Sequence, residues 1–134
     1  MINKFFVYGT LKVHGYFAHI FDDLRETSVE AKLKNFDLYK VGNAFDAWFP
    51  GIVPGNGVVL GEVHGYNPKY IGQVYSAMDR IEGYLPSNPE KSLYKRQLLE
   101  VELLDSTTEV ANVYVYNRKI EQNFELITNG VWDV

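Results

Sequence analysis

The chain of 134 residues is 46% hydrophobic and 22% charged, proportions that suit one globular domain around a single core and exclude a disordered chain. A net charge of −4 without any cluster of Lys or Arg excludes a phosphate-backbone partner such as nucleic acid. The lack of cysteine excludes disulfides, thiolate nucleophiles and Cys-ligated metal together.

Residues 3–8 are rich in aromatic and branched side chains and stop at Gly9, the pattern of a buried strand entering a tight turn. The apolar piece Phe5-Phe6-Val7 is too short, and Tyr8-Gly9-Thr10 too polar, for a signal peptide. No run approaches the ~20 apolar residues that span a bilayer. A cytoplasmic protein without membrane contact is expected. Apolar residues at Phe17, Ile20, Phe21 and Leu24 have helical spacing over 16–24, and 28–41 alternates like a half-buried strand. Pro50, Gly51, Pro54, Gly55 and Gly57 predict a turn-rich loop over 49–57. A strand over 58–66 carries Gly61 and Gly65, which favour a strongly curved sheet.

Pro68 opens the clearest helix. Ile71, Val74, Tyr75, Met78 and Ile81 form its apolar stripe, and Gly83 sits where a C-terminal cap belongs. Beyond a loop over 85–92, strands are predicted at 94–104 and 109–116, joined by a polar turn. The apolar tail 123–134 is expected to dock on the body. The whole chain, 1–134, reads as a single α+β domain.

Three features carry possible chemistry. Gly9, within Tyr8-Gly9-Thr10-Leu11, leaves room for a ligand against the backbone, whose successive N–H groups can form an anion-binding concavity; the same pattern also describes a plain turn. Glu82 continues the apolar stripe at four residues from Met78 and seven from Tyr75. Turned inward, it would be desolvated at the negative end of the helix dipole, and both effects raise its pKa toward that of a neutral-pH acid or base. Turned outward from a frayed end, it would be an ordinary surface carboxylate. The third is the set Tyr84, Tyr94 and Arg96 with Tyr114 and Tyr116, whose spacing puts the last two on one strand face, core or pocket. His14, His19 and His64 lack zinc-ligand spacing, and no phosphate loop, dinucleotide fingerprint or nucleophile elbow is present.

In chain order, Phe6-Val7-Tyr8-Gly9-Thr10-Leu11-Lys12, Phe49-Pro50-Gly51, Val59-Leu60-Gly61-Glu62-Val63, Met78-Asp79-Arg80-Ile81-Glu82-Gly83, Tyr94-Lys95-Arg96 and Ala111-Asn112-Val113-Tyr114-Val115-Tyr116 together resemble the gamma-glutamylcyclotransferase family, with its gamma-glutamylamine and avirulence-induced relatives. The resemblance spans nearly the whole chain. It implies a small curved or closed mixed β-barrel with flanking helices, and no metal or cofactor. It further implies a small-molecule gamma-glutamyl substrate whose α-amine attacks its own side-chain carbonyl, releasing 5-oxoproline and an amine or amino acid. Glu82 would then be the catalytic acid–base group. Tyr8, Gly9, Thr10 and Leu11 would hold the substrate's carboxylate or its developing oxyanion, and Tyr94 and Tyr116 would orient it. The alternative on the same fold is a non-catalytic module that binds a small acid.

Overall fold

A computed structural model describes residues 1–9, 21–43, 45 and 47–133. Among them, the elements run β1 (Lys4–Val7), β2 (Arg25–Asn43), β3 (Ala47–Tyr66), α1 (Ile71–Glu82), β4 (Tyr94–Leu103), β5 (Thr108–Tyr116) and β6 (Glu125–Leu126). The strands are ordered β3-β1-β5-β4-β2, and pairing of β2 with β3 closes them into a five-stranded barrel. β1 lies parallel to β5 at Phe5 and Asn112, and every other neighbour pair is antiparallel, so the barrel is mixed. β6 pairs with Tyr39 and Lys40 of β2 outside the ring.

Alternation along the strands sorts side chains into two cores. Phe6 of β1 with Tyr8 just beyond it, Leu33 and Leu38 of β2, and Val113 and Val115 of β5 belong to one cluster drawn from all five barrel strands. Their neighbours Phe5, Val7, Tyr114 and Tyr116 belong to a second cluster, which takes in the inner face of α1. That face is the predicted stripe: Val74 and Met78 are fully buried, and burial of each is worth about 1.5–3 kcal/mol. A 3₁₀ turn at Pro68–Tyr70 leads into the helix, with the Asn67 side chain accepting from the Lys69 N–H. No described helix is long and apolar enough to cross a membrane.

The predicted loop over 49–57 is instead part of β3, paired with β2 from Asn43↔Ala47 to Phe36↔Pro54. Over that stretch β3 has β2 as its partner, while β1 pairs further along, at residues 62–65. The outer edge can therefore take proline, and Pro50 and Pro54, four apart, omit their N–H groups on the same side. The glycines mark a bulge rather than a turn: residues 55–57 stand opposite Asn35, whose φ is 67°. The Asp37 carboxylate fills it by accepting from the Gly57 N–H at 2.9 Å. The helix expected over 16–24 falls largely outside the described residues; residues 21–24 form a turn in which the Leu24 N–H donates to the Phe21 carbonyl at 3.1 Å, and β2 starts at Arg25.

Candidate active site

A cavity of about 300 Å³ opens where the end of β1, the first half of β3, the last turn of α1 and the start of β4 converge. Phe6, Val7, Phe49, Pro50, Ile81 and Leu93 make its apolar walls. Its polar side chains, among the described lining residues, are Tyr8, Glu82, Tyr94 and Tyr114.

Glu82 reaches the cavity because of how its helix stops. Gly83 adopts the left-handed conformation with φ 67°, which an L side chain would strain. The Gly83 and Tyr84 N–H groups then bond back to the Arg80 and Asp79 carbonyls at 3.3 and 2.8 Å. This cap ends the helix one residue after the carboxylate and turns the chain away. The Gly83 carbonyl accepts from the Leu93 N–H at 3.1 Å, and the Leu93 carbonyl from Asn117 N–H at 2.9 Å, so the excursion over 84–92 returns Tyr94 beside the helix end. No described residue donates a hydrogen bond to the Glu82 carboxylate. Burial alone pushes its pKa up from 4.5 to about 7.

The three tyrosines are fixed by their own hydroxyls. Tyr8 donates to the Tyr114 carbonyl at 2.6 Å, and Tyr94 donates to the Pro50 carbonyl. Tyr114 donates to Asp79 Oδ1 at 2.6 Å. Burial raises the pKa of all three well above the usual phenol range, followed at Tyr8 by the neighbouring Tyr94, at Tyr94 by the Glu82 charge and at Tyr114 by the Asp79 carboxylate that accepts its hydrogen bond, so they remain neutral. Asp79 also accepts from Arg96 Nε at 2.9 Å and, through its other oxygen, from Nη2 at 3.3 Å. The guanidinium lies over the Tyr75 and Tyr84 rings, 4.5 and 5.2 Å from their centroids.

Of the residues picked out in the sequence, the cavity brings together Tyr8, Gly9, Glu82 and Tyr94. Tyr116 stands one layer back, its ring edge-on to Tyr94 at 5.6 Å. Thr10 and Leu11 lie outside the described residues. At Gly9, a β-carbon would meet Pro50 Cγ at 2.5 Å, so the glycine makes room for β3 as well as for any ligand. Two participants had not been assigned. Tyr114 was visible only as a face shared with Tyr116, and Asp79 only as a neighbour of Glu82 in one motif. The available signal was spacing: Asp79 lies three residues before Glu82 and four after Tyr75, on the same helix face.

The family model described as gamma-glutamyl cyclotransferase, AIG2-like, matches residues 5–134. A gamma-glutamylcyclotransferase family protein, YtfP, of Citrobacter rodentium is 30% identical over 132 residues, covering 96% of this chain and 94% of that protein. The solved AIG2-like protein of Mus musculus superposes with a TM-score of 0.76 at 24% identity, over 98% of this chain and 88% of its own. The solution structure of Escherichia coli YtfP gives 0.62 at 27% identity, over 96% and 95%.

Proposed function

The chain belongs to the gamma-glutamyl cyclotransferase, AIG2-like family, and from that premise we propose that it cyclises gamma-glutamyl compounds to 5-oxoproline with Glu82 as its acid–base group. The observation that carries the reading is a carboxylate with a pKa near 7, free of described hydrogen bonds, at the wall of a largely apolar cavity.

The reaction suits such a site. Nucleophile and electrophile share one molecule, so the protein needs only to fold it into a ring-closing pose. The α-amine, with a reference pKa of about 8, is delivered mostly as ammonium and must first give one proton to solvent water before it can attack. As its nitrogen bonds to the γ-carbonyl carbon, Glu82 takes the second proton released. Glu82 then returns that proton to the departing nitrogen as the original amide C–N bond breaks. The products are 5-oxoproline and a neutral amine or amino acid, with Glu82 restored. General catalysis of this kind contributes about 10²–10⁴ in rate. Backbone N–H groups of the corner at Gly9, Thr10 and Leu11 would hold the substrate's carboxylate or the developing oxyanion, while Tyr94, backed by Tyr116, orients the chain. A well-placed oxyanion donor is worth roughly 10²–10³.

The test is incubation with gamma-glutamyl dipeptides and with gamma-glutamyl-ε-lysine, following 5-oxoproline. Wild type is expected to turn over at least one. Glu82→Gln is expected to lose about 10²-fold or more in kcat while its melting curve stays cooperative. For wild type, kcat/KM should fall as pH drops below about 7, where Glu82 takes up a proton and ceases to be a base. Saturable binding without product would assign the chain to the small-acid-binding alternative, and equal turnover by Glu82→Gln would remove the mechanism.

A further inference from the structure

A tyrosine hydroxyl has one proton to give and two lone pairs to receive. In this cavity the protons are already placed. Tyr94 and Tyr8 point theirs at the backbone carbonyls of Pro50 and Tyr114, which cannot donate in return. Tyr114 points its proton at a carboxylate that is itself paired with Arg96. Tyr94 and Tyr114 are 5% and 4% exposed, so water does not compete for these bonds. The Ile52 N–H also approaches the Tyr8 oxygen and takes up part of its accepting capacity. What Tyr94 and Tyr114 have left to offer a ligand is lone pairs. The remaining polar side chain of the described lining is a carboxylate.

We propose that the Tyr94 and Tyr114 oxygens, with Glu82, form an acceptor-only subsite for the substrate's α-ammonium group, and that Asp79, held by Arg96, is the positioning residue that keeps Tyr114 an acceptor. The inference deepens the gamma-glutamyl reading and rests on it for the identity of the ligand. It assigns one end of the amino-acid moiety: the nitrogen lies on the phenol side, beside the group proposed to take its proton. Acceptors that bind ammonium through N–H···O bonds also leave the nitrogen lone pair, once a proton has gone, directed by what remains of those bonds. Specificity follows from the same arrangement, because a ligand lacking the nitrogen leaves desolvated lone pairs facing an apolar wall.

Two small probes separate this from a general effect on binding: L-glutamine, which has the α-ammonium and a γ-amide, and glutaramic acid, the same chain without the nitrogen. Titration calorimetry on wild type, with each probe checked for turnover over the titration, should show glutamine preferred by roughly tenfold. Adding Tyr114→Phe or Tyr94→Phe should collapse that preference to about twofold or less, with the glutaramic acid affinity unchanged. Asp79→Asn, whose amide can donate to the Tyr114 oxygen, should do the same through Tyr114. If Asp79→Asn fails to fold, the two phenylalanine variants decide alone. A preference that survives both of them overturns the proposal, as does parallel loss of both probes, or no preference for glutamine in the parent protein. Failure of the chemistry reads differently. Selective glutamine binding without 5-oxoproline from wild type keeps the subsite and removes the reaction. Turnover with unselective binding does the reverse.

Discussion

A carboxyl group raised by burial is an unfavourable element of the fold above its pKa. Folded Glu82 holds its proton up to about pH 7, whereas the unfolded chain releases it near 4.5. Between those values the native state binds more protons than the unfolded one, so stability falls as pH rises through the window. Glutamine cannot titrate. Glu82→Gln is therefore expected to be more stable than wild type at pH 8, by about 1–2 kcal/mol after allowing for solvent at the cavity mouth. At pH 4 the gap should close, and urea denaturation at the two pH values checks both limbs. The stripe that reaches Glu82 was legible as spacing alone. Its direction was not, since a last-turn residue can face either way until its cap is known. Tyr114 was less legible still: alternation places it on a face with Tyr116, but only packing against α1 makes one of them a cavity wall and the other its support.

At the level of elements, α1 was the easiest to read. Pro68, the 3–4 spacing and Gly83 are all local signals, and each matches what forms. The first half of β3 was the hardest, because prolines and glycines signal a turn unless the strand has an outer edge, and edge status belongs to the tertiary structure. The Gly83 cap is the element's hinge to function. A β-carbon there would meet Leu93 Cβ at an ordinary 3.4 Å, so crowding is mild and the penalty is conformational, from φ 67°. Gly83→Ala should cost about 1–2 kcal/mol in thermal or chemical denaturation. It should also lower kcat more than it raises KM, because the residue displaced is the proposed acid–base group rather than a binding wall.

Across the whole molecule, the barrel closes at a narrow parallel seam between β1 and β5, paired at Phe5 and Asn112. Asn112 is fully buried there, and its amide donates to the Lys4 and Ile2 carbonyls at 3.1 and 3.3 Å and to the Tyr75 hydroxyl at 2.8 Å. One side chain thus ties β5 to β1 and to α1. Asn112→Ala should destabilise by about 2–4 kcal/mol, since it removes several buried bonds and leaves a void, and amide exchange of β1 should rise toward that of surface segments. The closed barrel itself was expected only as curved or closed, because strand order is not written in any local pattern. The seam also joins the beginning of the chain to nearly its end, with consequences for biosynthesis. A polypeptide leaving the ribosome exposes Phe5 and Phe6 long before β5 exists to shelter them, and pairings this distant in sequence form slowly. Tyr114, one of the cavity's lining residues, arrives with the same late strand. A nascent chain stopped before residue 108 therefore lacks one wall of the candidate cavity, and truncated products of translation would expose apolar β1 without completing the proposed site.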